Sequence, residues 1–260
     1  MTKQIRLALK LIAIDLKILK KDLWGNLIDV MVWPTVASIV FGYILPTVGN
    51  FNKNYGAFVL MGAIITIGTV VAFDCATQIV VDFDNKRTID YYLTLPINSY
   101  LLFVKQALSI SLKVLLFTLP NFIWGKIVLY DRFDLTNLSI IKFLLIYSSI
   151  TLFLGFFALW LASWVKNQSA FIHVWLRLYN PMIWFGGQVF SWEQLNRVFP
   201  KISYLMVINP ITYCTEGLRS AIFGQFGFLN FWFCLFALLV QTLLFAIVSL
   251  RWLKKRLDCV

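Results

Sequence analysis

Charge is scarce in this chain: Asp, Glu, Lys and Arg make up 13% of its 260 residues, while hydrophobic residues make up 60%. Soluble domains carry about 25% charged residues, and over half of a folded protein's surface is apolar already. A water-soluble fold of this length has nowhere to put such a surplus, so lipid must solvate much of it. Histidine is nearly missing, with His173 the single one. That excludes a histidine metal cluster and argues against a membrane-embedded enzyme, which needs clustered catalytic groups. Cys75, Cys214, Cys234 and Cys259 include no Cys-x-x-Cys pair, which excludes zinc and dithiol motifs. No Gly-x-x-x-x-Gly-Lys-Ser/Thr run occurs; Gly125-Lys126-Ile127 lacks both the first glycine and the hydroxyl. The chain therefore has no phosphate-binding loop of its own. Internal repeats, low-complexity tracts and a polar stretch long enough to fold alone are also missing. No cleavable signal peptide is expected, because 1–26 is rich in lysine and arginine without an uninterrupted apolar core.

What is abundant is apolar length. A span needs about 20 apolar residues, and the sequence predicts spans at 27–45, 56–81, 100–128, 138–165, 170–189 and 228–250. The expected fold class is an all-α polytopic membrane protein, a single domain over 1–260 with six transmembrane helices. Aromatic residues, 17% of the chain, suit lipid-facing surfaces and interfacial belts. The net charge of +11 reads as membrane topology, not nucleic-acid binding, because the basic residues gather at both ends and in one internal loop. Assigning Lys86, Arg87, Lys166, Arg251, Lys254, Lys255, Arg256 and the N-terminal cluster to the cytoplasm satisfies the positive-inside rule with both termini inside.

Residues 1–26 predict an amphipathic interface helix. Lys3, Arg6, Lys10, Lys17, Lys20 and Lys21 share one stripe of a helical wheel, and Ile5, Leu9, Ile12, Leu16, Leu19 and Leu23 recur on another. Such a helix lies in the head-group plane of an anionic leaflet; a solvated juxtamembrane helix with snorkelling lysines is the alternative. Residues 190–227 fit no simple span. Polar and apolar patches alternate there with Pro200, Pro210 and several glycines, and the apolar run 204–208 is too short to cross. Irregular backbone survives at membrane depth only under protein or water. Short helices dipping in from the outer side, or a plain outer loop, both fit.

Two motifs stand out. One is the run Asp84-Asn85-Lys86-Arg87-Thr88-Ile89-Asp90 leading to Leu95-Pro96, within a loop at 82–98. The other is Asn209-Pro210-Ile211-Thr212-Tyr213-Cys214-Thr215-Glu216-Gly217-Leu218-Arg219, an Asn-Pro-x-x-Tyr-x-x-Glu-x-x-Arg segment before the last span. Both are similar to motifs of the type-2 ABC transporter permease family. The resemblance implies a cytoplasmic coupling loop at 82–98 and a re-entrant outer segment at 190–227. It implies the membrane subunit of an exporter at the cell inner membrane, whose substrate is a drug, lipid or glycan. Its implied partners are a separate ABC ATPase subunit, a second permease subunit (a homodimer) and membrane lipids, with no nucleic acid. Cofactors are none in this chain, ATP and Mg belonging to the partner ATPase. Phe185-Gly186-Gly187-Gln188 echoes an ATPase signature but sits at the end of an apolar run with no soluble domain around it.

The residues carry their own reading beside the resemblance. Asp84 lies at the positive end of a short predicted helix, and Pro96 stops it. Its charges can dock on a partner or simply be solvated. Asp74, Lys113 and Arg177 sit inside apolar runs, where a charge costs about 2.5–3.5 kcal/mol at the bilayer centre. Asp74 is expected to pair with Lys113 or Arg177, or the two cations snorkel. Glu216 and Arg219, three residues apart, share a helix face and could neutralise each other at an outer gate with Asn209, Pro210 and Tyr213. An ion-coupled secondary transporter is the alternative function; it predicts inverted repeats that this sequence lacks.

Overall fold

The computed structural model describes residues 2–49, 51–83 and 98–258, and among them regular structure is helical throughout. The first helix, α1 (Thr2–Lys21), alternates basic and apolar residues and buries Ala8, Leu11 and Ile12 where it packs on α4. Helix α2 (Leu23–Val48) contains Pro34 and a π-helical turn at Val40–Ile44. Helices α3 (Tyr55–Val81), α4 (Ser99–Leu129) and α5 (Ile140–Trp164) form the centre of the bundle. The Asn98 side chain starts α4 by accepting the Tyr100 N–H at 3.0 Å, satisfying one of the donors that a helix start leaves unpaired.

The stretch read as a span at 170–189 is a composite rod, α6, over 170–185. It joins α-helix at Ala170–Val174, a π turn at Trp175–Tyr179 and α-helix at Asn180–Phe185. At 1.5 Å per residue it extends roughly 24 Å. It runs antiparallel to α3: the Phe171 ring meets Phe73, the Tyr179 hydroxyl donates to the Thr69 carbonyl at 2.8 Å, and Gln188 abuts Gly62. Residues 190–227 fold as three short helices, α7 (Trp192–Val198), α8 (Pro200–Ile208) and α9 (Pro210–Phe223). The last helix, α10, spans Phe231–Asp258.

Among the described residues, five helices are long and apolar enough to cross a membrane: α2, α3, α4 with its 3-10 extension to Arg132, α5 and α10. Their burial differs sharply. The most apolar stretch of α3 is 78% buried inside the protein, that of α10 only 17%, although α10 is the more apolar. A soluble bundle would bury its most apolar helix; in lipid, α10 can keep an apolar outer face. The antiparallel order gives the bundle two ends. One carries α1, the end of α3 and the start of α4; the other carries α7, α8 and α9.

Candidate functional site

The α9 end is built on buried charge. Asn209 caps α9 by accepting the Ile211 N–H at 3.0 Å, and Pro210 fills the first helical position, where a missing N–H is no loss. The Asn209 amide also donates to the Met182 carbonyl at 2.6 Å, and the Tyr213 hydroxyl donates to the Val207 carbonyl. Every residue of α9 from Ile211 to Ile222 is buried, including Glu216 and Arg219, both fully. Arg219 makes five hydrogen bonds to main-chain carbonyls: Gly187 at 2.6 Å, Gln188 at 2.9 Å, Phe190 at 3.3 Å, and Phe58 twice, at 3.1 and 3.2 Å. Its guanidinium also lies 3.6 Å from the centroid of the Phe58 ring. Glu216 accepts the Trp192 and Leu229 N–H groups, one on each oxygen, both at 3.0 Å.

The expected neutralisation of Glu216 by Arg219 takes a different form. The two make no ion pair within 4 Å; each is spent on irregular backbone. The cause is that the turn at 187–190 and the segments before α7 and α10 leave main-chain groups without helical partners, and such groups cannot stay unpaired away from water. The turn is pressed close to α3. A Cβ on Gly62 would sit 2.2 Å from the Gln188 carbonyl oxygen, and Gly187 has φ of +82°, both of which exclude larger residues.

The α1 end holds a cavity of about 710 Å³ between α1, α3 and α4. Helix α3 lines it with Asp74 and Gln78, Asp82 at its C-terminal cap continues that face, and α4 lines it with Lys105, Ser109 and Lys113. Both sets recur every fourth residue, so each occupies one helix face. Lys105 Nζ lies 2.5 Å from Asp15 Oδ2 of α1, and the Ser109 hydroxyl donates to the same oxygen at 2.6 Å. The Lys105 side chain is 1% exposed and that of Asp15 29%. Lys113 Nζ lies 3.7 Å from Asp74 Oδ2, with side chains 22% and 56% exposed, and the Gln78 amide donates to that oxygen at 2.7 Å.

The structure thus brings together Asp74 and Lys113, and sets Arg177 apart, exposed on the π turn of α6 and without an ion pair among the described residues. Asp84, Asn85, Lys86, Arg87, Thr88, Ile89, Asp90, Leu95 and Pro96 lie outside the described residues. Sequence reasoning missed Asp15, Lys105 and Ser109. A signal was present: Asp15 is the sole acid within α1, and the spacing of Lys105, Ser109 and Lys113 by four marks a polar stripe in an apolar helix.

A bundle of long apolar helices with charge buried at both ends and a polar cavity at one is the build of a membrane transport component. The profile of the ABC-2 type transporter family matches residues 18–223, from the end of α1 to the end of α9, and the chain belongs to that family. No curated protein matches the chain.

Proposed function

We propose that the chain is the membrane-spanning permease subunit of an ABC exporter, in which two copies form the translocation path and a separate ATPase subunit supplies the energy. The observation that carries this reading is the family match, which embraces α2 to α9. The family, which works with an ATPase, supports a partner ATPase. The basic ends support an inner-membrane orientation with both termini in the cytoplasm. In this reading α6 is the sixth crossing, supported by its antiparallel run along α3. Residues 190–227 re-enter from the outer side, and the burial of α9 supports that placement. Asn209, Pro210, Tyr213, Glu216 and Arg219 then brace the outer gate. The loop 82–98 takes up the motion of the ATPase through Asp84 to Asp90, with Leu95 anchoring its far end. Pro96 ends the helix, and the loop passes that motion to α3 and α4, the helices it joins.

The test is recovery of an ABC ATPase with the solubilised, tagged chain. Wild type is expected to retain the ATPase, and the double reversal Asp84→Lys/Arg87→Glu to lose it while the chain stays folded. Solute movement down an ion gradient by the purified chain alone would overturn the reading.

A further inference from the structure

The cavity at the α1 end has two unlike walls. The α3 wall offers carboxylate and amide groups, Asp74, Gln78 and Asp82; the α4 wall offers ammonium and hydroxyl groups, Lys105, Ser109 and Lys113. One of its ion pairs is closed. Lys105 is buried and bonded to Asp15, and Ser109 is bonded to the same carboxylate. The other is open. The 3.7 Å separation of Lys113 and Asp74 is longer than a hydrogen bond, and more than half of the Asp74 side chain is accessible. Two opposite charges that face one cavity without a direct bond leave room for a group bearing both signs.

We propose that this cavity binds a zwitterionic phosphate–ammonium group, of the kind carried by an ethanolamine phospholipid, with the ammonium at Asp74 and the phosphate at Lys113. A simple anion would satisfy Lys113 but face Asp74, Asp82 and Asp15 across the same space, and a simple cation would meet Lys113. A zwitterion sets each of its charges against the wall of opposite sign, so neither enters the cavity unpaired, as a lone ion would. The volume, about 710 Å³, lies within the range of small-molecule sites. Depth also fits. Helix α1, which forms one side, is amphipathic with Lys10, Lys17, Lys20 and Lys21 exposed, as a helix at head-group level is. Its Leu16 and Leu19 line the cavity beside the charges, where the glycerol and first methylenes of a lipid would lie.

The experiment is native mass spectrometry of the detergent-solubilised full chain. It is titrated with phosphatidylethanolamine and, in parallel, with phosphatidylglycerol of the same acyl chains. Wild type is expected to retain the ethanolamine lipid roughly tenfold better, the scale of one charge-assisted hydrogen bond. Asp74→Asn is expected to erase the preference. Lys113→Met is expected to weaken retention of both lipids, whereas Arg197→Gln, remote from the cavity, leaves the preference intact. Equal retention by wild type, or a preference that survives Asp74→Asn, overturns the proposal. Should the variants not fold, wild type with a photoactivatable ethanolamine lipid decides. Adducts on α1, α3 or α4 at the cavity support the site, and adducts confined to α2 and α10 overturn it. Soluble phosphoethanolamine separates the two sources. Displacement at concentrations equal to the lipid's assigns the group to a free zwitterion, and no displacement assigns it to a lipid; either keeps the zwitterion chemistry. Binding is read without an ATPase, so its failure and the failure of the permease reading are separate results.

Discussion

At the α9 end, Arg219 gives its donors to four main-chain carbonyl oxygens and Glu216 accepts two main-chain N–H groups. At the α1 end, Lys105 and Lys113 meet carboxylates instead. Backbone partners cannot change rotamer, so a charge satisfied by them fixes the geometry of the turn it holds. Side-chain partners can exchange for a ligand or for one another. Fully buried Glu216 and Arg219 thus immobilise one end of the bundle, whereas at the other the part-exposed pair of Asp74 and Lys113 can exchange partners.

The largest effect is expected at the first of these. Arg219→Ala strands the buried carbonyls of the 187–190 turn and of Phe58, at about 1–3 kcal/mol for each group left unsatisfied. Arg219→Lys keeps the charge but loses the planar fork, and is expected to cost roughly 3 kcal/mol. Thermal unfolding of the purified protein in detergent checks both; a lysine variant as stable as wild type would show that the fork is not what holds the turn. Next comes Gly62→Ala, whose methyl meets the Gln188 main chain. A loss of about 1–3 kcal/mol is expected in the same assay.

At the other end the asymmetry of exposure gives an ordered pair. Asp15→Ala leaves a 1% exposed ammonium without its carboxylate, whereas Lys105→Met leaves a carboxylate that is 29% exposed. The first should therefore destabilise more, by roughly 2–3 kcal/mol or more, and protease accessibility of α1 would report its release from α4. An equal or reversed order would break the account of Lys105 as the deeper member. The Asp74–Lys113 pair is looser and partly solvated, so Lys113→Met should change stability by less than about 1 kcal/mol while altering retention of lipid. The smallest effect falls on the exposed pair of Arg197 and Glu193, one turn apart on α7. Arg197→Gln should cost about 0.3–0.5 kcal/mol, within error of wild type in the same melt.

Much of the architecture was legible because lipid demands it. Long apolar runs predicted α2, α3, α4 and α5 to within about four residues, and α10 apart from its last turns beyond 250, since a hydrocarbon core tolerates nothing else at that length. The pattern of lysines and leucines predicted α1, although its buried residues are Ala8, Leu11 and Ile12 and not Ile5 and Leu9 of the wheel. The stretch at 170–189 reads as a span by composition but forms a shorter rod with a π turn and ends at Gly186. Hydropathy counts apolar residues and is blind to where the last hydrogen bond of a helix closes. The site was legible only in part. Asp74, Lys113 and Arg177 stood out as charges inside apolar runs, and Glu216 and Arg219 through a motif and a spacing of three. Lys105 did not, because lysine near the end of a span ordinarily snorkels to the interface.

By itself the sequence determined that the chain lives in lipid and that ionisable residues inside its apolar runs must find partners. Those are consequences of composition and of the cost of bare polar groups in hydrocarbon, and they need no coordinates. Which partners the charges take was decided only by tertiary structure. Arg219 reaches carbonyls on α3 and on the 187–190 turn, and Lys105 reaches an acid on α1 that lies far away in the chain. A sequence fixes the need for a counter-group, but the choice among several within reach depends on how neighbouring helices pack.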